Sequence, residues 1–400
     1  MYIGRKRQSH WLRNLVLLLI IVGGTAYSTL LILAWRGTYI APLALLPAQL
    51  QPTATPEPTP TQPPPDYVAL AEAFFRNGAV DEATANYEEA VKLDENNDAA
   101  YARLARLYIM RRRYDEAETA ARRAVELQDA SSYNHAVLAL ALDWKKTYDE
   151  ALSEIVRAVS LDEKNVYAHA WMAEIYADLG RIDKALPAAK KALEIDDNNF
   201  ESHRDMGYVH EVAGNYRQAI EEYKRAIQIA PNFGFLYVDV SRNYRALGQY
   251  KNGVAMLQQA IKVDPKAAEV YDELGWTYYF MGDYDGAEAQ LKHAIQLDPN
   301  FGAPYGHLGV IYFVLQNWES SVPNLEKAVS FGGDRLEYYY ELGLGYVNLD
   351  QCAKGKEWID KAVLVNPDDG AVIAARQYYA EHCLGAPPLP TPRPTATKKP

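Results

Sequence analysis

Hydrophobic and polar positions along this chain obey one period of 34 residues. Small residues stand at Ala83, Ala117, Ala151, Ala185, Ala219, Gly253, Ala287, Ser321 and Gly355. Seven residues on, alanine recurs without exception at Ala90, Ala124, Ala158, Ala192, Ala226, Ala260, Ala294, Ala328 and Ala362. Twelve residues before the first series come Ala71, Ala105, Ala139, Ala173, Gly207, Ser241, Gly275, Gly309 and Gly343. Only Ala, Gly or Ser at a crossing lets two helix backbones reach the short end of their usual separation of about 8–10 Å. Larger side chains surround each small one. Leu70, Leu104, Leu138, Met172, Met206, Val240, Leu274, Leu308 and Leu342 share one phase. Phe74, Tyr108, Leu142, Tyr176, His210, Tyr244, Tyr278, Tyr312 and Tyr346 follow one helical turn later. Each period thus predicts two helices of about a dozen residues. Glycine punctuates the turn between them at Gly78, Gly180, Gly214, Gly248 and Gly282. Proline stops the second helix at Pro231, Pro265, Pro299 and Pro367.

This spacing of small, aromatic, small and proline positions resembles the tetratricopeptide repeat. It is plainest over residues 271–299, YDELGWTYYFMGDYDGAEAQLKHAIQLDP. Nine repeats fill residues 66–369. The resemblance implies an all-α fold, a right-handed α-solenoid of antiparallel helix pairs with an inner groove. Departures from the pattern are mild. Gly253, Ser321 and Gly355 are expected to soften three second helices, and Pro187 and Pro323 to fall near a helix start, where a missing N–H costs least. Residues 370–385 read as one unpaired first helix, a C-terminal capping helix whose Arg376, Glu381 and His382 suit an open end. Cys352 begins the second helix of repeat nine and Cys383 ends the cap. In antiparallel neighbours those two ends meet, and a disulfide there would close a 31-residue segment. Such a link is worth roughly 3–4 kcal/mol. Two buried free thiols are the alternative.

The N-terminal part has a different composition. Residues 1–13 are a basic segment expected in the cytoplasm, and residues 14–35 run without a charge from Asn14 to Trp35. As a helix, such a stretch spans about 33 Å, enough for one transmembrane signal-anchor helix. Trp11 and Trp35 flank it, and four basic residues precede it against Arg36 alone closely after it. The positive-inside rule then places the rest of the chain outside the cytoplasm. A signal peptide cleaved near Ala26-Tyr27-Ser28 is the alternative. Residues 36–65 are a Pro/Thr-rich stalk: eight of the nineteen residues from Pro47 to Pro65 are proline, a density that favours extended polyproline II. Residues 386–400 repeat that composition as a tail expected to be disordered.

Charge and chemistry narrow the function. Residues 66–385 hold 33 Lys and Arg against 51 Asp and Glu, and a body of net charge -18 repels a phosphate backbone, so nucleic acid is a poor partner. No P-loop, nucleophile elbow, H-E-x-x-H or paired-cysteine spacing occurs, and no enzyme, cofactor or metal site is expected. His135, His169 and His203 are spaced by 34 and look like a ligand ladder. They occupy the phase held elsewhere by Tyr67, Tyr101, Tyr237, Tyr271, Tyr305 and Tyr339, so packing explains them better. The x-G-x-G fragment at Gly343 and Gly345 follows no strand and does not support a dinucleotide site.

By the resemblance, the first helices line the groove. Arg204, Tyr208, Arg242, Arg245, Trp276, Tyr279, Phe313 and Tyr340 are its candidate contacts, with Tyr133, Trp144, Tyr167, Glu174, Glu211 and Phe235 at related phases. Tyr, Trp and Arg dominate binding hot spots, and the arginines would pair with acidic groups of a ligand. Core packing is the competing use of the aromatic positions. The Lys/Asn clamp of tail-binding family members is absent, since Val68, Ala102, Ala136 and Ala170, and Glu72, Arg106, Leu140 and Glu174, hold its phases. The expectation is a membrane-anchored extracytoplasmic scaffold that binds a protein or peptide partner. A permanent structural subunit of a membrane complex and a cell-wall carbohydrate binder remain as alternatives.

Overall fold

Each period folds as a helix hairpin because its apolar stripe can be buried only against a partner helix and the next hairpin. In the computed structural model, which describes residues 23–26, 28–29 and 65–385, the body is a stack of such hairpins. Repeat one is α1 (Tyr67–Arg76) and α2 (Val80–Leu93), repeat two α3 (Asp98–Met110) and α4 (Tyr114–Leu127), and repeat three α5 (Ser132–Trp144) and α6 (Tyr148–Leu161). Then come α7 (Val166–Asp178) with α8 (Ile182–Ile195), α9 (Phe200–Val212) with α10 (Tyr216–Ile229), and α11 (Gly234–Ala246) with α12 (Tyr250–Val263). The last three repeats are α13 (Ala268–Phe280) with α14 (Tyr284–Leu297), α15 (Gly302–Val314) with α16 (Trp318–Ser330), and α17 (Leu336–Asn348) with α18 (Cys352–Val365). A final helix, α19 (Gly370–Leu384), packs on α17 and α18 and caps the stack.

The chain divides into two compact units, residues 1–64 and 65–400. In the first, Gly23–Ala26, Ser28 and Thr29 are helical, with the Ser28 and Thr29 hydroxyls donating to the Gly24 and Thr25 carbonyls. Otherwise the expected span 14–35, the stalk up to residue 64 and the tail 386–400 lie outside the described residues. Among the described residues no helix is long and apolar enough to cross a membrane.

The small residues do at the crossings what their size allows. Ala124, Ala158, Ala192, Ala226, Ala260, Ala294, Ala328 and Ala362 are wholly buried. Across each hairpin, repeats one to four pair Ala with Ala, while repeats five to nine carry at least one glycine. At the three positions expected to soften their helices, α12, α16 and α18 run unbroken. Glycine there faces serine or glycine, and this closer approach offsets its poor helix propensity. A Cβ on Gly253 would stand 3.0 Å from Ser241 Oγ, and in the mirror arrangement Ser321 Oγ donates to the Gly309 carbonyl at 2.8 Å. The prolines also differ from expectation. Pro187 and Pro323 are the sixth residues of α8 and α16, beyond the free N–H groups of the first turn, so each removes one intrahelical bond. Both helices continue through them.

The turn inside every hairpin passes through the left-handed region at one residue. Gly78, Gly180, Gly214, Gly248 and Gly282 hold it at φ between 68° and 79°. In the other four repeats Arg112, Lys146, Gln316 and Asp350 hold it at φ between 57° and 61°. A side chain there carries a steric cost that glycine avoids.

Consecutive first helices pack on one another along the stack, whereas second helices pack on their own and the following first helix. First helices therefore line the inner side of the curve. The curve closes within the chain. Arg111 Nη1 lies 3.5 Å from Asp264 Oδ2, Arg112 reaches Glu269 at 3.3 Å and Asp298 at 2.9 Å, and Lys146 reaches Asp334 at 2.6 Å. Phe75 meets Phe233 at 5.1 Å, and a Cβ on Gly78 would overlap the Asn232 carbonyl. The turn edge of repeats one to three thus rests on the inter-repeat loops that lead into repeats six to nine.

Candidate functional site

The aromatic and histidine residues that open six of the first helices have a common local task. Tyr237, Tyr271 and Tyr305 donate their hydroxyls to the carbonyls of Pro231, Pro265 and Pro299, six residues back, at 3.0–3.1 Å. His135, His169 and His203 bond through Nε2 to the carbonyls of Asp129, Glu163 and Asp197, also six residues back, at 2.8–2.9 Å. His135 and His203 bond Glu154 and Glu222 through Nδ1 as well. The Glu222 contact raises the pKa of His203 above the usual range. Each imidazole belongs to its own inter-repeat loop. Cys352 and Cys383 are joined in a disulfide, Cα–Cα 5.8 Å, tying the start of α18 to the end of α19.

On the inner face, most of the predicted contacts already have partners. Arg204 Nη1 bonds Glu174 at 2.7 Å and Asp205 at 2.9 Å, and its Nε lies 3.5 Å from Asp239. Arg245 grips Glu273 with two bonds, at 2.9 and 3.1 Å. Neither guanidinium is left to meet an acidic ligand, as expected from sequence, because acids on neighbouring first helices reach it first. Tyr208 donates to Asp178. Trp276 is buried in the core, stacked between Tyr279 at 4.6 Å and His307 at 4.1 Å. Phe313 packs edge-on against Trp318 at 5.1 Å, and Tyr340 is half-buried, with burial pushing its hydroxyl up to about 12. Arg242 is different. Its side chain is 43% exposed and only loosely paired, 3.6 Å from Asp239 and 4.0 Å from Glu211.

Two of the openings take in the candidate arginines Arg204, Arg242 and Arg245. The first is a cavity of 290 Å³ on the axis of the curve, with Arg106, Arg112, Arg204 and Arg242, Glu174, Glu201, Asp239 and Glu269, and the rings of Tyr114, Trp144, Trp171, Phe200, Phe235 and Phe301 around it. The second is a wider concavity of 930 Å³ along the turn edge of repeats five to seven, lined by Tyr208, Val212, Arg242, Arg245, Tyr250 and Phe280 among others. Phe313 and Tyr340 line neither. The structure therefore gathers Tyr208, Arg242 and Arg245 at one place and separates them from Trp276, Phe313 and Tyr340.

That edge carries a feature the sequence reading missed. Val212, Phe280 and Val314 end the first helices of repeats five, seven and eight at one phase, and Met281 and Leu315 follow two of them. All five are between 42% and 48% exposed. The signal was only partly readable as one more phase, with Met110, Trp144, Val212, Phe280 and Val314 interrupted by Arg76, Asp178, Ala246 and Asn348. In the covered edge of repeats two and three, the next two positions are Arg111, Arg112, Lys145 and Lys146. The uncovered edge replaces that basic chemistry with apolar side chains.

These features define a helical-hairpin solenoid with a free apolar edge and a polar cavity on its inner side. Two tetratricopeptide repeat models match the chain, one over residues 74–141 and 244–308 and the other over 166–199 and 200–233. The chain belongs to the tetratricopeptide repeat family, whose repeats form protein–protein interaction scaffolds. No curated protein matches it. Among solved structures it is similar to the APC/C hetero-tetramer Cut9–Hcn1, at 13% identity and TM-score 0.61, over 75% of this chain and 59% of that one, a likeness of fold alone. A tetratricopeptide repeat protein from Parabacteroides merdae aligns at 19% identity and TM-score 0.47, over 65% of this chain and 98% of that one. The pilF protein of Pseudomonas aeruginosa aligns at 15% identity and TM-score 0.45, over 54% and 97%.

Proposed function

We propose that this chain is a membrane-anchored, extracytoplasmic scaffold that docks a protein partner along the turn edge of repeats five to eight. The row of exposed Val212, Phe280, Met281, Val314 and Leu315 carries the reading. Exposed apolar side chains gathered on a charged surface mark a contact site, and Arg242 and Tyr208 on the same edge supply polar anchors. The reading makes the chain a binder and not a catalyst. Capture of partners by the full chain from an extract of its source cells, beside the variant Val212→Ser, Phe280→Ser, Leu315→Ser, is the test. A partner held by the native chain and lost from the folded variant is the expected outcome. Equal capture by both would remove the edge from the reading.

The uncharged stretch from Asn14 to Trp35 supports the anchor, and the Cys352–Cys383 link supports an oxidising compartment. Protease added outside intact cells should digest residues 66–385 and leave a membrane-bound N-terminal fragment. A fully protected body would place the repeats in the cytoplasm instead.

A further inference from the structure

The axial cavity adjoins the apolar edge at Arg242, which lines both openings, and its chemistry is not that of a passive void. Around it three of the four arginines are matched, and Arg242 is paired only loosely. Arg106 pairs with Glu201 and stands over the Phe75 ring at 4.7 Å, and Arg112 pairs with Glu269 and Asp298 and stands over Phe301 at 3.7 Å. Arg204 has three carboxylates. The acids are not matched in return. Glu201 is a cavity-lining side chain only 6% exposed, and its Oε2 accepts no hydrogen bond. Asp239, 8% exposed, also lines the cavity, and its Oδ2 lies 3.5 Å from Arg204 Nε, an ion pair too long for a hydrogen bond. Asp205, Glu211 and Asp298 stand behind the lining as further partners of its arginines, so carboxylates outnumber guanidiniums. A buried carboxylate oxygen without a donor is costly, and one more cation would satisfy it. The walls suit a guanidinium above other cations, since aromatic faces stack on that planar, weakly hydrated group. Phe200 and Phe235 line the cavity with Trp171, and each already has a guanidinium over its ring, Arg106 at 5.9 Å and Arg204 at 6.0 Å. The volume of 290 Å³ is at the lower limit of ligand pockets, about 300 Å³, and fits one side chain and not a folded segment.

We propose that the axial cavity receives one arginine side chain of a partner polypeptide, with Glu201 as its carboxylate and the Phe200, Phe235 and Trp171 rings as its walls. This rests on the scaffold reading, and it adds a residue-specific pocket to the apolar docking edge. The body's net charge of -18 favours a basic partner by the same sign.

The experiment is calorimetric titration of the purified full chain with the blocked tripeptide acetyl-Gly-Arg-Gly-amide, beside its norleucine and glutamate analogues. The arginine peptide should bind one to one, at least ten-fold more tightly than either analogue. Glu201→Gln should weaken it ten-fold or more. Because that change also leaves Arg106 short of a partner, Met110→Trp serves as a second variant. It fills the cavity from α3, leaves the Arg106–Glu201 pair in place and should abolish binding. Equal binding of all three peptides, no binding of any, or undiminished binding by Met110→Trp would each overturn the proposal. The titration needs no natural partner and leaves the apolar edge untouched. Peptide binding without partner capture would remove the docking reading alone, and capture without peptide binding would remove the cavity alone.

Discussion

At the scale of single residues, the inner face is unusual for the number of acids it buries. Asp143 is 1% exposed, and neither of its carboxylate oxygens accepts a hydrogen bond. Burial, reinforced by the nearby charges of Glu174 and Asp178, pushes its carboxyl up to about 9. Burial also lifts Glu341 to about 8 and Asp239 to about 6. A carboxyl whose folded pKa is raised holds a proton that the unfolded chain has released. Each such group lowers stability by about 1.4 kcal/mol per pH unit between its unfolded and folded values. His203, raised by Glu222, adds a term of the same sign, lost as pH rises through its folded value. The carboxylates held low by cations, Glu118 by Lys145 and Glu288 by Lys292, act only below their ordinary range. The melting temperature should therefore fall steadily from pH 5 to pH 9, and Asp143→Asn should flatten the slope over most of that interval. Parallel slopes for the two proteins would show that Asp143 does not titrate in that window. The shared task of His135, His169 and His203 with the tyrosines was legible in the sequence, because it is a matter of phase. The burial of Asp143 and Asp205 was not, since a lone acid in a helix reads as a solvated face until the curve of the stack is known.

At the scale of elements, the crossing positions decide which substitutions a hairpin accepts. A Cβ on Gly275 would stand 2.7 Å from the Leu291 side chain and 2.9 Å from the Ala287 carbonyl, which is backbone and cannot swing away. Gly275→Ala should therefore cost about 1–3 kcal/mol through overpacking, more than the gain of up to about 1 kcal/mol in helix propensity. Gly370 opens α19 with open space where a methyl would stand, no atom within 4 Å of it, and no positive φ, so Gly370→Ala should be neutral or stabilising. Thermal melts of the two variants give opposite signs on this account. Matching shifts would mean that the crossing geometry is not what limits position 275. Hairpin boundaries, small-residue phases and the helical cap were all legible, because each rests on contacts within one period. The helices run unbroken at Gly253, Ser321 and Gly355, where propensity alone pointed to softening. Propensity was read along a single helix, and Ser241, Gly309 and Gly343 compensate from the helix opposite.

At the scale of the whole body, the closure of the curve depends on residues that bring no local gain. Arg112 and Lys146 sit where five repeats use glycine, in a conformation costing non-glycine residues about 1 kcal/mol or more. Both use their side chains to reach across to Glu269, Asp298 and Asp334. These pairs are partly exposed, and exposed pairs contribute at most about 1 kcal/mol each, less in salt. Contacts separated by 157, 186 and 188 residues follow from the rotation summed over many repeats, which no local pattern in the sequence records. The double variant Arg112→Gly, Lys146→Gly separates the two scales. Each hairpin loses a strained turn residue, so thermal stability should hold or rise slightly. The body loses three of its bridges, so small-angle scattering at low salt should report a larger radius of gyration than for the native chain. Raising salt should expand the native body toward the variant and leave the variant unchanged. A native radius indifferent to salt and equal to the variant's would mean that the Phe75–Phe233 contact and the close approach of Gly78 to Asn232 hold the curve closed without the ion pairs.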